Sequence, residues 1–197
     1  MSSSASPLAE LLADLHRALT ALGLRWYLFG AQAAILHGVA RLTADVDVTV
    51  DVAALPYAVL VDRLAAAGFD LRVPDDEGFV ERTRVLPLLH TRSRLPLDVV
   101  LAGPGLEELF FTRVEEHRIG DLPVPVAAAE DLVAMKILAG RPKDLDDVAA
   151  ILRARSVDPE RVRSTLRLRE QALDRRDLIA ELARLLSQSG SPRGPDA

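Results

Sequence analysis

The chain of 197 residues contains no cysteine, which excludes a disulfide framework and any thiolate metal site. Lysine is almost absent too: Lys136 and Lys143 are the only two, so arginine fills 22 of the 24 basic positions. No stretch is long and uncharged enough to span a membrane, and the opening MSSSASPLAE does not read as a signal peptide. A soluble, cytoplasmic protein is the expectation. The net charge of −5 argues against wholesale coating of nucleic acid, though it leaves room for a local basic patch. The length fits one domain, or one domain with a helical appendage, and suffices to bury a real core.

The stretch from Tyr27 to Asp51 organises the rest. Trp26 to Phe29 is a short apolar strand, Gly30 a turn, and Ala31 to His37 a helix closed by Gly38. A second strand follows with Asp45 and Asp47 one residue apart. Side chains i and i+2 of a strand project from one face. Two adjacent carboxylates repel unless a cation, a proton or solvent offsets them, and Mg²⁺ is the usual hard partner. Solvated aspartates on an edge strand would look the same. His37 reads as a histidine satisfied within the fold.

Elsewhere, Pro7 opens a helix through about Leu22, with Leu8, Leu11, Leu12, Leu15 and Leu19 at helical spacing and Gly23 as its stop. Leu55 to Ala67 reads as an amphipathic helix, Phe69 to Leu71 as a strand, and Pro74 to Gly78 as a turn. Phe79 to Leu89 reads as one or two strands. Arg82, Arg84, Arg92 and Arg94 bracket it; they suit either a phosphate-bearing acceptor or, preferably, a solvated face. Leu95 to Leu101 is an apolar strand interrupted by Asp98, which needs a partner, a metal or a strand end in water. Leu106 to Val114 is helical, and a hairpin surrounds Gly120.

Lys136 falls inside the apolar arc of the next helix, and a lysine there needs a phosphate or carboxylate partner unless it snorkels. In a chain so biased to arginine, a retained lysine points to a compact point charge. Gly140-Arg141-Pro142 breaks that helix. Asp144, Asp146 and Asp147 then sit in the first turn of another, where acids also favour the helix dipole. Two arginine-rich helices follow, Pro159 to Leu173 and Arg175 to Leu186, with nine arginines against six acids from Arg153 to Arg184; solvated faces with i,i+4 pairs are the preferred reading.

Gly30, His37-Gly38 and Arg41-x-Thr43-x-Asp45-x-Asp47 together resemble the nucleotidyltransferase superfamily of the DNA polymerase β type, and within it the small prokaryotic branch that includes toxin–antitoxin nucleotidyltransferases. The likeness runs from about Trp26 to Leu152. Position 31 departs from it, being Ala where Gly or Ser is usual, so a hydroxyl contact to phosphate is missing and the backbone N–H groups of Ala31 and Gln32 remain to face phosphate. The resemblance implies an α/β (α+β) fold, a mixed sheet flanked by helices with a C-terminal helical bundle. It divides the chain into a nucleotidyltransferase core with its N-terminal helix (1–127) and a helical subdomain (128–186), while the Ser, Gly and Pro of residues 187–197 read as a disordered tail. It also implies a catalytic metal site of Asp45, Asp47 and Asp98 holding two Mg²⁺, and nucleotide contacts from Gly30, Ala31, Thr43, Lys136, Asp144 and Asp147. An NTP would donate its NMP to RNA, protein or a small molecule, with a cognate antitoxin or toxin as a further partner. Two alternatives compete: a catalytically silent nucleotide-binding or antitoxin-like regulator on the same fold, and, ranked lower, a DxDxT phosphohydrolase built on Asp45-Val-Asp47-Val-Thr49.

Overall fold

The computed structural model describes residues 6–52, 55–73, 77–103 and 105–189. The chain forms two compact units, one built from residues up to Gln32 together with Leu42–Ala127, the other from Ala33–Arg41 together with the chain from Ala128 onward.

The first unit opens with α1 (Pro7–Ala21). Ser6 caps it by accepting from the Ala9 N–H at 3.2 Å, and Pro7 occupies the first turn, where its missing N–H costs nothing. Gly23, at φ +68°, ends it in a conformation that a side chain rarely adopts. Leu11, Leu12, Leu15 and Leu19 are fully buried, each burial contributing roughly 1.5–3 kcal/mol. The sheet order is β3 (Phe69–Leu71), β4 (Val85–His90), β5 (Pro96–Leu101), β2 (Val46–Asp51), β1 (Arg25–Phe29), β7 (Leu122–Val126), β6 (Glu115–Ile119). β2 runs parallel to β5 and β1 parallel to β7; the other neighbours are antiparallel. In β2 the alternation places Val46, Val48 and Val50 on one buried face, in the same rows as Leu97, Val99 and Leu101 of β5. Trp26 and Leu28 of β1 share it, and the ring of His16 on α1 meets Trp26 edge-on, so α1 covers this face. A polar group is built into the same core: His90 is fully buried, its Nε2 3.0 Å from Asp14 Oδ2 and its Nδ1 2.8 Å from Ser93 Oγ.

Phe79 to Leu89 departs from the sequence reading. Its first half is α4 (Glu77–Thr83), and only Val85–His90 is a strand. Phe, Val and Thr favour strands locally, but Val80 is buried as the anchor of a short helix, and tertiary burial overrides propensity. The helix stops where Arg84 turns to φ +56° and returns its N–H to the Val80 carbonyl at 2.6 Å. Pro74 to Asp76 of the expected turn lie outside the described residues, whereas Glu77 and Gly78 begin α4. Helices α3 (Tyr57–Ala66) and α5 (Leu106–Phe111) complete this unit, and α2 (Gly30–Leu36) follows β1 directly.

The second unit is a helical bundle of α6 (Ala129–Ala139), α7 (Pro142–Ala154), α8 (Pro159–Leu173) and α9 (Leu178–Ser189), which pack on one another. Asp158 caps α8 by accepting from the N–H groups of Glu160 and Arg161. Several arginines here pair locally, Arg163 with Glu160, Arg175 with Asp177 and Arg184 with Glu181, as expected of a solvated face. Ser187 to Ser189 belong to α9, and the rest of the expected tail lies outside the described residues. Among the described residues no helix is long and apolar enough to cross a membrane.

Candidate active site

The metal-site candidates are set by strand register. Asp47 on β2 pairs with Asp98 on β5 in a parallel ladder, so both project from the same face, opposite the valine face. The row extends to Phe29 on one side and Pro87 on the other. Asp45 stands one residue before β2 begins and is exposed. Its backbone N–H donates to Thr43 Oγ1 at 3.2 Å, and the Thr43 carbonyl accepts from the Gln32 amide at 3.3 Å. Gln32, expected from the sequence to offer only its backbone N–H, thus ties the loop ahead of Asp45 to α2 through its side chain. Gly30 has φ +67°, and a Cβ placed on it would run into the Asp47 carboxylate. Only glycine lets the turn pass this close beneath the acid.

Asp47 and Asp98 on one side of the sheet, with Asp45 just ahead of β2, are hard oxygen donors of the kind that a divalent cation such as Mg²⁺ takes. They are not yet gathered into a closed ligand set, since their oxygens do not all lie within 4.8 Å of one another. Asp98 instead accepts a charge-assisted hydrogen bond from Arg72, a residue the sequence reading passed over.

In the helical unit, the three residues of the second candidate cluster meet. Asp144 and Asp147 lie three residues apart on α7 and face the same way, both buried. The Lys136 ammonium donates to Asp147 Oδ2 at 2.7 Å and to Asp144 Oδ1 at 3.4 Å. The carboxylate option for its partner is therefore realised, and its burial at 5% exposure excludes snorkelling. Arg41 donates to the same Asp147 oxygen at 2.8 Å, and Arg141 to Asp144 at 2.5 Å. Asp146, between them, is exposed. An open groove of about 450 Å³ is lined by Arg41, Lys143, Asp146, Asp147 and Arg153 among others. His37 is buried, with Nδ1 2.5 Å from an Arg155 guanidinium nitrogen, the satisfied role expected for it. Of the four arginines around β4, Arg84 donates to the carbonyls of Leu101 and Ala102, while Arg92 pairs with Asp14 and Glu10.

Burial pushes the Asp144 carboxyl up, but the Arg141 hydrogen bond and the Lys136 and Arg141 charges outweigh it and hold it below its ordinary value of 3.8. A depressed folded value gives stability that is full above the ordinary value and lost as pH falls through the folded one. Asp144→Asn is therefore expected to lower stability at neutral pH and to flatten the acid limb of unfolding, read as ellipticity against pH. Superimposable acid limbs would mean the pairing contributes nothing.

The fold is that of a nucleotidyltransferase. Solved structures similar to this chain include the antibiotic-resistance factor ANT(2″)-Ia, with a TM-score of 0.56 at 16% identity over 83% of this chain and 93% of that one. The lincosamide antibiotic adenylyltransferase LnuA gives 0.51 at 16% identity over 74% and 96%. An antigenic nucleotidyltransferase-like protein from Paracoccidioides brasiliensis gives 0.51 at 16% over 88% and 90%. No curated protein matches the chain in sequence. Residues 11–190 match the family described as nucleotidyl transferase AbiEii toxin, type IV toxin–antitoxin system, and the chain belongs to that family. It is accordingly an enzyme that transfers a nucleoside monophosphate to an acceptor. Its family implies a nucleotide substrate and, in general terms, an antitoxin partner. Metal dependence is typical of the superfamily. Membership displaces the phosphohydrolase and silent-regulator alternatives.

Proposed function

We propose that the chain takes an NTP as donor and transfers its NMP to an acceptor hydroxyl, with Asp45, Asp47 and Asp98 holding two Mg²⁺. The observation that carries this reading is the in-register pair Asp47–Asp98 on one face of the sheet, above a glycine turn that only glycine fits. Bound Mg²⁺ would supply charge neutralisation at the phosphates and activation of the acceptor oxygen. Asp98 takes the proton of that hydroxyl as its oxygen attacks the α-phosphorus; the new O–P bond forms as the bond to pyrophosphate breaks. Gly30 and Ala31 offer backbone to the triphosphate, and Gln32 and Thr43 hold the loop that presents Asp45. In the helical unit, taken by itself, Lys136 fixes Asp144 and Asp147 beside a groove lined by Arg41 and Lys143.

Incubation with Mg²⁺ and each labelled NTP, alongside total RNA and protein, tests the reading. Label in RNA, protein or a small molecule identifies the acceptor class, with pyrophosphate released and no orthophosphate. Orthophosphate release without transfer would overturn it.

A further inference from the structure

The row of residues across the sheet that contains Asp47 and Asp98 continues to a cation. Pro87 on β4 pairs with Asp98, and Arg72, one residue beyond β3, donates its backbone N–H to the Pro87 carbonyl at 2.9 Å. Extending the β3–β4 register by one residue sets Arg72 opposite Pro87. Neighbouring strands lie about 4.8 Å apart, so Arg72 and Asp98 are two strands, about 10 Å, from one another along the row. An arginine side chain spans that distance, provided nothing tall stands between. Proline is what stands between. It sits on an interior strand, where it forfeits a ladder hydrogen bond, yet its compact ring leaves the lane open and the guanidinium crosses it to Asp98 Oδ1.

We propose that Arg72 is a positioning residue that holds Asp98 as a displaceable counter-ion and competes with the incoming divalent cation for that carboxylate. The proposal rests on the metal-site reading above. Like charges directly opposite across a ladder destabilise a sheet, and Asp47 and Asp98 are such a pair. Arg72 offsets that repulsion while drawing the Asp98 carboxylate toward the sheet edge, which agrees with the three acids not being gathered within 4.8 Å. The pair is half open to solvent, with side chains 36% and 39% exposed. An exposed pair of this kind is weak enough to yield to a divalent ion. Cation entry then has two consequences: Asp98 swings toward Asp47, and a guanidinium is released beside the reaction site.

Mn²⁺ serves as the probe, its free concentration followed by electron paramagnetic resonance during titration of the full chain. Arg72→Gln and Arg72→Met, which remove the competitor, are expected to tighten Mn²⁺ binding by about threefold to fivefold. Arg72→Lys, which keeps a charge, stays near wild type. Arg92→Gln, which removes a guanidinium committed to Asp14 and Glu10 instead, leaves the affinity unchanged. Equal affinity in wild type and both neutral variants overturns the role of Arg72, as does an equal gain in Arg92→Gln. If Asp47→Asn abolishes binding while the Arg72 variants match wild type, only this inference falls. If wild type binds no Mn²⁺ saturably, the metal-site reading falls and takes the inference with it.

Discussion

Lys136→Ala is expected to destabilise the helical unit by about 3 kcal/mol, at the lower end of what breaking a buried ion pair costs. Lys136 is 5% exposed and its ammonium is shared by Asp144 and Asp147, themselves 3% and 4% exposed. Removing it leaves two carboxylates facing one another in a poorly solvated site. Arg141 still pairs with Asp144 and Arg41 with Asp147, which is why the lower end applies. Lys136→Arg should rescue only in part, because a larger planar guanidinium does not fit the space of a point charge without moving its neighbours. Denaturant titration by ellipticity measures the loss. The double variant Lys136→Met, Asp147→Asn, which removes charges of both signs, should recover much of it. A Lys136→Ala protein as stable as wild type but slow in transfer would assign this lysine to phosphate contact alone.

The arithmetic of basic residues had already marked Lys136, since a chain with arginine at 22 of 24 basic positions retains lysine for a reason. What it did not contain was the partner. Phosphate and carboxylate satisfy an ammonium equally well on paper, and only the packing of α7 on α6 selects the carboxylates. The sheet was legible where periodicity and composition agreed, as at Val46, Val48 and Val50, and at Phe69 to Leu71. It was illegible at α4, where strand-forming residues were captured into a helix by the burial of Val80. The stop there is Arg84 in a left-handed conformation, a position where the sequence offers no glycine to read. Arg72 and the side-chain contact of Gln32 escaped notice because both depend on how separate segments meet. The Arg72–Asp98 contact joins residues 26 apart, and nothing in the local sequence says that β3 lies beside β4. The DxD motif, by contrast, was visible because its chemistry lies within three residues.

Asp47→Asn should lower nucleotidyl transfer by about a thousandfold, the equivalent of losing several kcal/mol of charge stabilisation at the transferring phosphate. The same variant should keep its fold. Asparagine matches aspartate in size, so the close packing over Gly30 is retained. It also removes one of two like charges paired directly across the β2–β5 ladder, a change that relieves repulsion. Melting followed by ellipticity is therefore expected at or slightly above the wild-type temperature in the absence of metal. Added Mn²⁺ should raise the wild-type midpoint and leave that of Asp47→Asn unmoved, because a cation that binds only the native state stabilises it by mass action. Asp98→Asn should behave alike in transfer, while freeing Arg72 from its partner. The decisive comparison is between rate and stability in one variant. Slow transfer from a protein that melts normally and ignores Mn²⁺ marks Asp47 as a ligand. Slow transfer from a protein that melts many degrees early, with Mn²⁺ stabilisation intact, would make Asp47 a structural residue of the β2 strand and move the metal elsewhere.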